Sequence, residues 1–139
     1  MKRLLYLVLI LLCFSCKTKI NTPIVNITLV DTGKSIKITG LNYVVMQDVS
    51  RDTSNSWESL LPVYRMPADT DMKNYQPLQP GKYLVKDSAL VFTPDTPFIR
   101  HQLYFLRQYH FSEAGDMWGF IKGSRRPGQI AYTDLIFKQ

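Results

Sequence analysis

The chain opens on an unbroken apolar run, Leu4–Leu12, set between Lys2-Arg3 and the polar, basic stretch Lys17–Lys19. A positive start, a short apolar core and Ser15 near the exit have the layout of a secretory signal peptide, a signal helix over residues 1–15. The run falls short of the roughly 20 residues a helix needs to cross about 30 Å of hydrocarbon, so no retained transmembrane helix is expected. Behind it the pattern changes to short alternating segments. Ile24–Val30 is β-branched and alternates at Val25, Ile27 and Leu29, which predicts a first strand. Asp31-Thr32-Gly33 marks a turn. Ser35–Thr39 and Leu41–Gln47 read as a second β-rich run, with Gly40 a bulge or bend inside it. Asp48–Ser56 is polar and reads as a loop. Trp57–Arg65 is apolar, but Pro62 limits it to an edge strand or two short pieces.

Met66–Pro80 carries Pro67, Pro77 and Pro80 among polar residues and reads as a long surface connection. Beyond the Pro80-Gly81 turn signal, Lys82–Lys86 and Ala89–Thr93 flank Asp87-Ser88 as a tight hairpin. The strongest strand pattern lies between Arg100 and Phe111. There Phe105, Arg107 and Tyr109 share one face, and Tyr104 and Leu106 take the other. Apolar bulk on both faces predicts a central strand covered on both sides. Ser112–Asp116 reads as a polar turn, Met117–Lys122 as a short strand, Gly123–Gly128 as a hairpin loop and Gln129–Phe137 as the last strand. Seven or eight short strands, with no stretch of convincing helical periodicity, argue for an antiparallel sandwich, with a small β-barrel as the alternative.

Taking away residues 1–15 leaves 124 of the 139 residues, enough for one domain over 24–139 behind a tether at 16–23. The two cysteines are Cys13 and Cys16, so a chain starting at Cys16 with its thiol consumed has neither a disulfide nor a cysteine metal site. The net charge of +6 falls to +4 once Lys2 and Arg3 are gone. The positives are scattered and densest at Lys122, Arg125 and Arg126, a solvated loop or a patch for an anionic partner. Export disfavours nucleic acid as that partner.

Candidate chemistry is thin. His101 and His110 stand nine residues apart, which puts them on opposite faces of an ideal strand and speaks against a shared metal. Asp48 and Asp52 lack the glycine and terminal glutamate of a calcium loop. Ser112, His110 and Asp116 are close in sequence, but no glycine-framed nucleophile elbow is present. Glu58 and Glu113 are the only glutamates, and nothing places them as a catalytic pair. No catalytic residue, metal or cofactor is therefore assigned, and the chain is not expected to be an enzyme. Aromatics are the enriched feature. Trp57, Tyr64, Tyr75, Trp118 and Tyr132 either fill the core or form a platform for a protein or a sugar ring. Tyr64 and Tyr75, in proline-rich polar settings, are expected to be exposed.

Phe14-Ser15-Cys16 after the leucine-rich run resembles the lipobox of bacterial lipoproteins, and the reading FSCK is similar to those of the Bacteroidota. Cys13 and Phe14 stand where that pattern more often has Leu and a smaller residue. The resemblance implies acylation of Cys16 and cleavage just before it. It also implies anchoring in the bacterial outer membrane, since several acyl chains hold a protein stably where one does not. In such lipoproteins acidic residues after the cysteine accompany surface export; Lys17 and Lys19 here imply the periplasmic face. A second stretch, Ala89–Tyr109, resembles the closing strands of bacterial immunoglobulin-like modules through Phe92, Pro94, Phe98 and Tyr104. Together these give an expected immunoglobulin-like antiparallel β-sandwich of about seven strands. The expected function is a membrane-anchored, non-enzymatic module that binds an envelope protein. The alternative is a carbohydrate-binding lipoprotein whose exposed aromatics take a glycan. Candidate binding positions are Tyr64, Tyr75, Lys122, Arg125 and Arg126.

Overall fold

In the computed structural model, which describes residues 24–51, 56–111, 114–124 and 130–139, β-branched and aromatic segments form seven strands. They are β1 (Asn26–Val30), β2 (Ser35–Thr39), β3 (Val63–Arg65), β4 (Gly81–Lys86), β5 (Ala89–Pro94), β6 (Leu103–Tyr109) and β7 (Tyr132–Lys138). All pair antiparallel, in a four-stranded sheet of order β1-β2-β5-β4 and a three-stranded sheet of order β3-β6-β7. The strands form two sheets rather than one closed barrel. Ile36, Ile38, Leu90 and Phe92 from the first sheet meet Val63, Tyr104, Leu106 and Phe137 from the second in one apolar core. The arrangement is compatible with an all-β sandwich.

Local chemistry explains the turns. Asp87 and Ser88 both take positive φ, 51° and 58°, the backbone of a two-residue hairpin whose twist matches its strands. Gly40, at φ +81°, ends β2 rather than bulging within it. A Cβ there would lie 2.2 Å from the Ile24 carbonyl oxygen, so only glycine lets β1 start this close. Tyr83 on edge strand β4 donates from its hydroxyl to the Leu61 carbonyl at 2.6 Å, tying the first sheet to the entrance of β3.

Among the described residues three α-helices correct the all-strand reading: α1 (Tyr43–Arg51), α2 (Ser56–Leu60) and α3 (Ala114–Ile121). The expected strand at Leu41–Gln47 and part of the expected loop at Asp48–Ser56 are α1 and the start of α2. The expected strand at Met117–Lys122 is mostly α3. The reasons are local. The Asn42 side chain accepts the Val44 N–H at 2.9 Å at the start of α1. Met46 and Val49 then fall on one face three residues apart and are buried, as are Trp57, Leu60 and Leu61. At the end of α3, Gly123 takes φ +72° and donates to the Phe120 carbonyl, while Ser124 N–H reaches the Gly119 carbonyl, a glycine-terminated helix stop. Met66–Pro80 is not wholly irregular either, because Thr70–Tyr75 forms a 3-10 helix capped by the Asp69 carboxylate on Asp71 N–H.

By connectivity the β2–β3 segment (α1, α2), the β4–β5 turn and the β6–β7 segment (α3) share one end of the strands. The turns β1–β2, β3–β4 and β5–β6 share the other. α2 packs on α3, so the first end carries a helical cap over Met46, Val49, Trp57, Leu60 and Met117.

Candidate functional site

Strand β6 is the centre of the three-stranded sheet and is buried on both faces, Tyr104 and Leu106 towards the core and Phe105 and Arg107 away from it. Its register with β7 pairs Phe105 with Ile136, Arg107 with Asp134 and Tyr109 with Tyr132. Across from β3, Tyr64 stacks on Phe105 with ring centroids 5.1 Å apart. An aromatic outer face thus surrounds one guanidinium.

Arg107 is bound from several sides. Its Nε and Nη2 donate to the two Asp134 carboxylate oxygens at 2.8 and 3.0 Å, a bidentate pair. Nη2 also donates to Asn74 Oδ1 at 2.9 Å, and the guanidinium lies 3.9 Å from the Tyr132 ring centroid. Lys73 adds a second cation on Asp134 at 2.8 Å and sits 4.7 Å over the Phe105 ring. Lys73 and Asn74 belong to the 3-10 helix, so this charge cluster clamps the β3–β4 connection onto the sheet.

The protonation states follow. Burial alone would raise the Asp134 carboxyl; the hydrogen bonds and charges of Arg107 and Lys73 more than offset it and hold it below its ordinary value. The Asp134 hydrogen bond raises Arg107 further, against the opposing effect of burial. Burial pushes the Tyr64 and Tyr109 hydroxyls up. At neutral pH the face is a neutral aromatic frame around one fixed anion and two cations.

The rim is apolar and exposed. Leu103, Met72, Tyr132, Ile136 and Tyr75 are all open to solvent, Tyr75 the most at 77 %. Of the residues singled out from sequence, Tyr75 is exposed as expected. Tyr64 is only half-exposed because it stacks into the face. The structure brings both to this one side, Tyr64 through β3 and Tyr75 through the 3-10 helix. Lys122 is exposed but sits just beyond α3, at the helical end. Arg125, Arg126 and Cys16 lie outside the described residues. Trp57 and Trp118 lie in the helical cap, so the five aromatics do not form one platform.

Sequence reasoning missed Arg107 and Asp134 as a pair. The signal was an arginine and an aspartate inside two apolar strand patterns, positions where an unpaired charge is prohibitive. His101 precedes β6 and His110 follows it, and His110 pairs with the Thr133 hydroxyl at 2.7 Å. Among the described residues no group of three His, Cys, Asp or Glu is placed to hold a metal ion, and no helix is long and apolar enough to cross a membrane. No family model, no curated protein and no solved structure matches the chain.

Proposed function

We propose that the chain is a lipid-anchored, immunoglobulin-like module that docks an envelope protein on the outer face of the β3-β6-β7 sheet. The observation that carries the docking reading is the pairing of a rigid centre with an apolar rim. Arg107, Asp134, Lys73 and Asn74 fix the backbone beneath, and Met72, Tyr75, Tyr132 and Ile136 offer exposed apolar area around it. Interface hot spots are enriched in tyrosine, and a backbone already held rigid loses little freedom on binding.

The immunoglobulin-like reading draws on strand order. Lettered A to G in sequence, the sheets run A-B-E-D and C-F-G, the constant-type arrangement. Tyr104, near the start of the sixth strand, accepts the Ile99 N–H at 3.0 Å, the kind of bond made by a tyrosine corner. Phe98 fills the same corner, 4.7 Å from the Tyr104 ring and 5.4 Å from Phe137. The anchor reading rests on Phe14-Ser15-Cys16. Acylated Cys16 would hold the domain in the outer membrane, facing the periplasm.

Two experiments test the two halves. Cys16→Ser is expected to move the protein from the membrane to the soluble fraction and leave uncleaved precursor; unchanged membrane retention with normal processing refutes the anchor. Tyr75→Ala combined with Ile136→Ser, both exposed, is expected to abolish co-purification of a stoichiometric envelope protein while preserving the melting temperature. Undiminished capture refutes the assignment of this face, and capture of a glycan in place of a protein refutes the partner class.

A further inference from the structure

We infer that the helical end of the domain is a bilayer-docking surface, seated against the headgroups of the membrane that holds its anchor. The inference rests on the anchor reading and adds to it which end faces the lipid.

Three exposed apolar side chains gather where the chain enters the domain. Ile24 is 80 % exposed, and its carbonyl lies against Gly40 at the end of β2. Three residues on, α1 begins with Tyr43 and Val44, 62 % and 63 % exposed. The register Asn26↔Thr39 fixes this neighbourhood, since it brings the first residues of β1 to the last of β2. The buried face of the helix, Met46 and Val49, is already used by the core, so Tyr43 and Val44 face away from it. The Tyr43 hydroxyl accepts from Gln47 Nε2, which leaves its ring as a flat apolar surface with a satisfied polar tip. Such an amphipathic ring suits a headgroup boundary. Charge is balanced on this cap, Arg51 and Lys122 against Asp48, Glu58 and Asp116, so the apolar side chains carry the surface.

The length of chain leading to Ile24 selects lipid as the occupant. Eight residue steps separate Cys16 from Ile24. Fully extended they span at most about 28 Å, at ~3.3–3.6 Å per residue. A seven-residue strand such as β6 is itself about 23 Å long. Setting the opposite end on the bilayer would need the tether stretched along the whole domain, whereas the helical end meets the surface with the tether slack. The docking face then stands to the side of the membrane, clear of it.

Both tryptophans, Trp57 in α2 and Trp118 in α3, belong to this end, so the unaltered full chain reports on it. The purified lipidated protein is reconstituted in phosphatidylethanolamine–phosphatidylglycerol vesicles with lipids brominated high on the acyl chain. Tryptophan fluorescence is expected to be quenched relative to unbrominated vesicles, and the exposed double substitution Tyr43→Ser, Val44→Ser is expected to remove most of that loss. A nitroxide at Val44→Cys is expected to be several-fold more accessible to oxygen relative to a water-soluble nickel complex than one at Asp95→Cys, at the opposite end. Equal accessibility, or no quenching, overturns the inference. Concentration-dependent self-association without quenching also overturns it, because it assigns the patch to a second copy. Mass spectrometry of the mature N-terminus reads the anchor separately. If Cys16 carries no acyl chain the anchor fails, and the same quenching with the unanchored chain decides the surface: quenching supports it, and none overturns it.

Discussion

Asp134→Ala removes the carboxylate that both Arg107 and Lys73 face. In the native protein the Arg107 and Asp134 side chains each expose only 10 % of their surface. The arginine then keeps one side-chain acceptor, Asn74 Oδ1, in place of three bonds to two partners. Breaking a buried pair by deleting one member costs about 3–5 kcal/mol, because the survivor is left charged and desolvated. Here the guanidinium stays over the Tyr132 ring at 3.9 Å. Lys73, at 24 % exposure, can turn to water. Both features bring the cost to the bottom of that range or just below it, about 2–3 kcal/mol. For a domain of this size that is a fall in Tm of about 10 °C. The assay is urea unfolding of the purified protein followed by tryptophan fluorescence, with Asp134→Leu, Arg107→Met and the double variant Arg107→Met, Asp134→Leu completing a cycle. The double variant is expected within about 1 kcal/mol of the native protein, since replacing both charges removes the desolvation cost as well as the attraction. A loss below about 1 kcal/mol for Asp134→Ala, or a coupling energy near zero in the cycle, would refute the claim that this pair clamps the face.

Three further outcomes follow from the same geometry. Asp134 has its carboxyl held below its ordinary value of 3.8, so its contribution is complete above that pH and is lost as pH falls through the folded value. Acid titration of stability should therefore be shallower below pH 4 in Asp134→Asn than in the native protein. Tyr83→Phe leaves the Leu61 carbonyl without its 2.6 Å donor and should cost about 1–2 kcal/mol. Burial raises the Tyr83 hydroxyl far above its ordinary 10.0. Its contribution is therefore whole below pH 10 and declines above it, and denaturant melts at pH 9 and 11 should show a smaller drop in the phenylalanine variant. Gly40→Ala forces a Cβ to within 2.2 Å of the Ile24 carbonyl oxygen at a left-handed φ. It should destabilise by more than about 1 kcal/mol, because the neighbour is backbone and β1 must shift; chemical denaturation checks this.

Most of the strand framework was legible because its signals are local. Asp31-Thr32-Gly33 and Asp87-Ser88 mark turns by residue type alone, and both take positive φ. The double-sided apolar pattern of β6 foretold its central place. The helices were not legible for a physical reason. At nine, five and eight residues they are too short to be stable by propensity, and they exist because the sandwich end buries one side of each. Val44 and Val45 read as strand residues, and Val49 as part of a polar loop, until Met46 and Val49 find a core three residues apart. The candidate face was half legible. Tyr75 stood out by its setting, whereas Tyr64 was misjudged as exposed because Phe105, its stacking partner, lies 41 residues away in sequence. The Arg107–Asp134 pair depends on the β6–β7 register, which no local pattern reveals.

The central claim is that an envelope protein docks on the outer face of the β3-β6-β7 sheet. The most direct measurement is site-specific photo-crosslinking in intact cells, with a photoreactive phenylalanine analogue at Tyr75, Ile136 or Leu84. Tyr75 and Ile136 border the proposed face, and Leu84 is equally open, at 64 %, on the outer side of the four-stranded sheet. One discrete adduct with the same envelope protein is expected at positions 75 and 136 and none at 84. Adducts at 84 alone, or none at 75 and 136, would contradict it.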